Sequence, residues 1–220
     1  MNLISHLLDE FSLNHNPKIA FEQSSYLKNQ FAFFGIKTTE RRSIQKPFLD
    51  KQYLPPKTEL ASIVKTLWDQ PQRECHYFAQ ELVEKYAKGF EEQDLNLFEF
   101  MITHQSWWDT VDFIATHLVG SYFKQFPEKR YQKVEEWLAS GNIWLQRTAI
   151  LFQLKYQKAL DVPLLENSIN KLLGSKEFFI NKAIGWMLRE YSKTNAEWVS
   201  NFLAVANLSG LSRREASKYL

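Results

Sequence analysis

WWDTVDFIATHLVGS, residues 107–121, has counterparts at equal spacing on either side: QRECHYFAQELVEKY (72–86), NIWLQRTAILFQLKY (142–156) and EFFINKAIGWMLREY (177–191). The four begin at Gln72, Trp107, Asn142 and Glu177, 35 residues apart. Each follows another segment with apolar residues at i, i+3, i+4 and i+7, the period of an amphipathic helix. A helical pair recurring at this interval predicts an all-α fold, an α-solenoid of HEAT-like pairs that stack on their neighbours and leave a concave groove along one side. Tyr86, Tyr156 and Tyr191 share one register position and fit a common packing role. The second segment offers Ser121 there and Tyr122 one place later.

The same periodicity extends through the chain. It predicts helices near 2–14, 17–30, 38–50, 57–70, 72–88, 94–104, 107–124, 128–139, 142–158, 163–173, 177–192, 195–207 and 211–219. Its clearest break is FAFFGIKTTERR (31–42), where Gly35 stops one pattern, Thr38 or Thr39 can cap the next, and Glu40 enters its first turn. The expected organisation is one domain over 1–220, with an N-terminal helical cap (1–50) and a repeat body (51–220).

Composition narrows the function classes. With 45% hydrophobic residues, 7 Trp, 9 Tyr and 17 Phe in 220 residues, the chain has too much apolar surface to remain solvated. Its 7 Gly and 7 Pro are few for a sandwich or barrel, and no glycine-rich cluster provides a dinucleotide or phosphate loop. Cys75 is the single cysteine, so no internal disulfide forms and no thiolate pair is available to a metal. The five histidines lack ligand spacing with acidic partners, so neither a metal nor another cofactor is expected. The N-terminus lacks a signal-peptide pattern and no apolar run reaches ~20 residues, which predicts a cytoplasmic protein without a membrane span. A net charge of +2 means that any basic surface is local.

One register column carries chemistry: Tyr77, Asp112, Arg147 and Lys182. On an inner wall these residues form a row in which one carboxylate is flanked by cations. Residues three and four apart share a helix face, which adds Trp108 before Asp112, and Trp186 and Arg189 after Lys182. A carboxylate beside Trp faces suits a cation, and Arg147, Lys182 and Arg189 suit a phosphate backbone. Plainer readings stand beside these. A helical Trp is usually core, Asp112 fits an ion pair with Arg147 as well as a functional role, and Lys182 and Arg189 fit a solvated face. Ser106-Trp107-Trp108-Asp109 reads as a capping box, with Asp109 in the first turn.

With these residues in view, the sequence resembles the HEAT-like-repeat DNA alkylation repair family, the AlkD-type alkylpurine DNA glycosylases. The resemblance rests on YLKNQFAFFGIKTTERR (26–42), SWWDTVDFIA (106–115), the arginine of NIWLQRTAIL at Arg147, and NKAIGWMLREY (181–191). It implies that Trp108, Asp112 and Trp186 surround the deoxyribose of a damaged nucleotide, with Arg147 near the adjacent phosphate. It further implies that Lys182 and Arg189 hold the duplex, that Tyr26 and Lys37 lie near DNA at the N-terminal end, and that the partner is double-stranded DNA with N3- or N7-alkylated purines. The implied activity is hydrolysis of the N-glycosidic bond without base flipping. A non-catalytic α-solenoid that binds protein, or damaged or branched DNA, is the competing reading.

Overall fold

The computed structural model describes residues 3–220, which are all-α: among them no strand forms, and one isolated bridge pairs Ala32 with Gln72. They divide into two compact units, one ending at Gly89 and the other spanning Phe90–Leu220. No helix among the described residues is long and apolar enough to cross a membrane.

The first unit holds α1 (Leu3–Leu13), α2 (Pro17–Tyr26), α3 (Thr38–Gln45), α4 (Lys57–Trp68) and α5 (Arg73–Glu84). Asn16 starts α2 by accepting the Ile19 N–H at 3.2 Å, with Pro17 at the first helical position, where its missing N–H costs nothing. The predicted helix at 38–50 stops at Gln45 and continues as a 3₁₀ turn, because Pro47 follows.

Between α2 and α3 the chain wraps around one carboxylate. Glu74, fully buried on α5, accepts the backbone N–H groups of Phe34, Gly35 and Ile36 at 3.0, 2.9 and 3.2 Å. Burial pushes this carboxyl above its ordinary value, against the pull of those N–H groups. Gly35 has φ +87°, and a Cβ there would lie 2.1 Å from the Asn16 carbonyl oxygen. Only glycine fits. Nearby, Arg41 and Arg42 each meet Glu81 at 3.0 Å, and Gln45 donates to the same carboxylate.

The second unit comprises α6 (Asp94–Thr103), α7 (Trp108–Phe113), α8 (Gly120–Gln125), α9 (Arg130–Ala139), α10 (Ile143–Leu151), α11 (Val162–Leu172), α12 (Phe178–Ser192), α13 (Ala196–Val205) and α14 (Gly210–Ala216). Caps recur at the starts: Asn142 accepts from Trp144 and Leu145, Asp161 from Leu164, Asn195 from Trp198, and Ser209 from Ser212. Helix α7 packs on α10 and α10 on α12, and α14 lies against α12. That last contact needs Gly185, where a Cβ would approach the Glu215 Cβ to 2.6 Å and the Ser212 carbonyl oxygen to 2.8 Å.

Two expectations change here. The helix predicted at 142–158 ends at Leu151, and Tyr156 instead turns its hydroxyl to the Gly120 carbonyl at 2.7 Å. The helix predicted at 107–124 runs from Trp108 to Gln125, with a π-helical turn, Ile114–Val119, joining α7 to α8. A π turn holds an extra residue, which accounts for the displaced tyrosine: Tyr122 donates to the Glu92 carbonyl much as Tyr86 donates to that of Pro55. Tyr191 has a third arrangement, its ring edge-on to Trp198 at 5.6 Å. The shared register therefore does not give the tyrosines one shared contact.

Replacing Glu74 with Ala strands three buried N–H donors. The expected loss is about 3 kcal/mol, a fall in Tm of roughly 6–12 °C by thermal unfolding, with Gly35→Ala similarly destabilised.

Candidate active site

Asp112 lies one helical turn after Trp108, and Arg147 occupies the equivalent position on α10. The 35-residue interval brings them together: Arg147 Nε donates to Asp112 Oδ1 at 2.7 Å and Nη2 to Oδ2 at 2.8 Å. The geometry is the two-pronged match of guanidinium and carboxylate. The third nitrogen, Nη1, donates to the Phe179 carbonyl in the first turn of α12 at 2.5 Å. One guanidinium thus joins α7, α10 and α12.

The two partners differ in exposure, with the Arg147 side chain 4% and that of Asp112 15% accessible. A carboxylate offers about four lone-pair sites and Arg147 fills two, so the exposed edge of Asp112 retains acceptor capacity. Burial pushes the Asp112 carboxyl above its ordinary value, the Arg147 hydrogen bonds and charge pull it back, and Asp109 adds a smaller push upward.

Aromatic rings gather at the helix starts. Trp107 meets Trp144 at 5.8 Å and Phe179 at 5.2 Å, and Trp144 meets Phe179 at 5.0 Å, while the Arg147 guanidinium lies 6.0 Å from the Phe179 ring. Trp107 is thus the member of the tandem pair in this ring cluster, and its Nε1 is buried with no hydrogen-bond partner. Trp108 and Trp186 are both half-buried. The capping box is not formed. Ser106 donates its hydroxyl to the Ile102 carbonyl at 2.6 Å, and Trp107 is the N-cap residue, in an extended conformation without a side-chain cap. Asp109 does enter the first turn of α7.

The polar row breaks after Arg147. Lys182 meets Glu215 Oε1 at 2.8 Å and Arg189 Nη1 meets Glu215 Oε2 at 2.8 Å, so both join a carboxylate on α14. Lys218 reaches both oxygens of the same group, at 3.0 and 2.9 Å. These contacts hold the Glu215 carboxyl far below its ordinary value, at about 2, with Lys182 the largest cause and Lys218 next. Tyr26 ends α2 and is 70% exposed, and Lys37 is the exposed N-cap residue of α3. Both belong to the unit ending at Gly89. Among the described residues no group of three His, Cys, Asp or Glu side chains is arranged to hold a metal ion.

Glu215, Phe179 and the Trp107–Trp144 contact are absent from the sequence-based set. Phe179 acts through its backbone carbonyl, which leaves no residue-type signal. Glu215 lies outside the repeat register of Lys182, whereas Trp144 and Phe179 share a register position that a search for aromatic columns would find.

A model of the DNA alkylation repair enzyme family matches residues 7–220. A solved structure described as a predicted DNA alkylation repair enzyme from Enterococcus faecalis is 33% identical, with a TM-score of 0.88 over 94% of this chain and 97% of that one. No curated protein matches the chain.

Removing the guanidinium in Arg147→Ala leaves a largely buried carboxylate uncompensated, with an expected loss of about 3 kcal/mol in urea unfolding; Arg147→Lys recovers part of it but lacks the fork. Because the Glu215 carboxyl is depressed, its contribution is present above its ordinary value near 4.5 and is lost as pH falls toward about 2. The stability gap between wild type and Glu215→Gln is therefore expected to shrink across that window in acid-unfolding curves.

Proposed function

This chain belongs to the DNA alkylation repair enzyme family, and from that premise we propose that it is a DNA glycosylase releasing positively charged N3- and N7-alkylated purines from duplex DNA. In this reading the helical pairs form a single HEAT-like-repeat domain whose concave groove takes the duplex. The observation that carries it is the Asp112 carboxylate, gripped on one side by Arg147 and open on the other, one turn from Trp108.

An alkylated purine already carries the positive charge of a good leaving group, so no general acid is needed. As the N-glycosidic bond breaks, electron density leaves with the base and the sugar becomes an oxocarbenium-like cation. Asp112 stabilises that charge, and the faces of Trp108 and Trp186 add their negative quadrupoles. At an effective dielectric of about 20 and ~4 Å, a bare carboxylate contributes at most ~4 kcal/mol, or ~10³-fold in rate. Arg147 offsets part of this field while keeping Asp112 ionised and oriented. Water then adds at the anomeric carbon, and the ionised Asp112 is placed to orient it or accept its proton.

Arg147 has two N–H groups left after its three internal bonds, and these are what it offers to a flanking phosphate. Lys182, Arg189, Tyr26 and Lys37 supply the remaining backbone contacts. Recognition through sugar and phosphate leaves the base edge unread, which predicts tolerance of varied alkyl groups. A binder of damaged DNA without turnover shares every cation and differs at Asp112, whose engagement by Arg147 is the observation in its favour.

Free N7-methylguanine and N3-methyladenine released from methylated duplex separate the two. Wild type is expected to release both, and Asp112→Asn to bind duplex but lose about 10²–10³-fold in rate. Equal rates for the two proteins remove Asp112 from the mechanism, and no release by folded wild type leaves the binder. Because burial raises the Asp112 carboxyl, it gains a proton at a higher pH than an ordinary aspartate. Base release is expected to fall as pH drops through that raised value, measured against uncatalysed depurination, with this acid limb absent in Asp112→Asn.

A further inference from the structure

Glu215 is 5% exposed, yet three cations converge on it from two elements: Lys182 and Arg189 from α12, and Lys218 from the turn after α14. The side chains of Lys182, Arg189 and Lys218 are 39%, 23% and 47% accessible, against 7% for Glu215. The carboxylate therefore sits beneath, and the positive heads reach solvent around it. Three positive charges against one negative leave a surplus of two.

The supporting frame is closely packed and hydrogen-bonded. Gly185 lets α14 approach α12 at the level of Glu215, and the Ser212 hydroxyl donates to the Asn181 carbonyl at 2.8 Å across the same contact. Arg213 is committed to the carbonyls of Leu203 and Ala206 at 2.6 and 3.0 Å, so it belongs to the frame and not to the cationic face. Arg189 meets Glu215 through one of its three nitrogens, and each lysine ammonium carries three donors. Donors and charge are both left for a further anion.

Cations held this close repel one another, and a carboxylate below them offsets only part of that repulsion. A phosphodiester above them offsets the rest. The Phe179 carbonyl that Arg147 grips lies one turn before Lys182 along α12, about 4.5 Å of helix rise, so the same helix carries both the Arg147 anchor and two of the three cations.

We propose that Glu215 is a positioning residue that fixes Lys182, Arg189 and Lys218 as one platform for a backbone phosphate of the duplex, which makes the C-terminal turn part of the DNA interface. The proposal rests on duplex DNA being the ligand and is independent of whether the protein releases bases.

The test exploits a sign. If Glu215 merely lowers local positive charge, Glu215→Gln raises net charge and tightens duplex binding. A positioning role predicts the opposite: the platform loosens and undamaged duplex binds about 5–10-fold more weakly at low salt. Lys218→Ala, a change at an exposed side chain, is expected to weaken binding and to reduce the slope of log affinity against log salt by about 0.9, the loss of one phosphate contact. Fluorescence anisotropy across a salt series reads both, with thermal unfolding run alongside to establish that each variant is folded.

Tighter binding by Glu215→Gln, or an unchanged salt slope in Lys218→Ala, overturns the proposal. If Glu215→Gln does not fold, Lys218→Ala alone decides. Inorganic phosphate that raises the wild-type Tm while duplex fails to bind assigns the platform to a small anion, and also overturns it. Duplex binding with the expected slopes but no base release overturns the glycosylase reading and leaves this one standing. Base release with an unchanged Lys218→Ala slope does the reverse.

Discussion

Two charge-assisted hydrogen bonds between Asp112 and Arg147 set the terms for the rest of the second unit. A largely buried ion pair offsets its desolvation only when both prongs align and the remaining donors find partners. Here the third arginine nitrogen finds the Phe179 carbonyl. Helices α7, α10 and α12 must therefore hold their relative height to within a hydrogen bond's tolerance, and the rings of Trp107, Trp144 and Phe179 pack where those helices begin. What keeps the helices in step is also what keeps one edge of Asp112 facing outward.

Carboxylates organise the molecule in three different ways. Glu74 collects backbone N–H groups and fixes a loop, Asp112 collects one guanidinium and fixes three helices, and Glu215 collects three cations and fixes a surface. Partner chemistry sets each acidity. Neutral N–H groups leave Glu74 raised by its burial, while cations on every side carry Glu215 down to about 2. Asp112 combines the two influences: burial raises its carboxyl while the hydrogen bonds and charge of Arg147 pull it back.

Much of this was legible in the sequence because it repeats. The apolar period marks the chain as helical, and the 35-residue interval sets Asp112 opposite Arg147. Register fails where an interaction leaves the repeat. Lys182 occupies the right column but turns to Glu215 on α14, which is off that column, and the Phe179 contribution is a carbonyl that any residue carries. Ser106 fits a capping pattern by residue type, yet its hydroxyl finds the Ile102 carbonyl closer at hand. Composition says nothing about which of two adjacent tryptophans packs where, and geometry is what puts Trp107 against Trp144 and Phe179.

The π-helical turn at Ile114–Val119 holds one residue more than an α-helical turn would. One residue added to an α-helix rotates everything beyond it by about 100°, which would swing α8 off its neighbours. Absorbed as a wide turn, the same addition leaves Asp112 and the partners of Tyr122 where they were. The segment between them therefore takes up one residue locally, without passing a rotation on to α8.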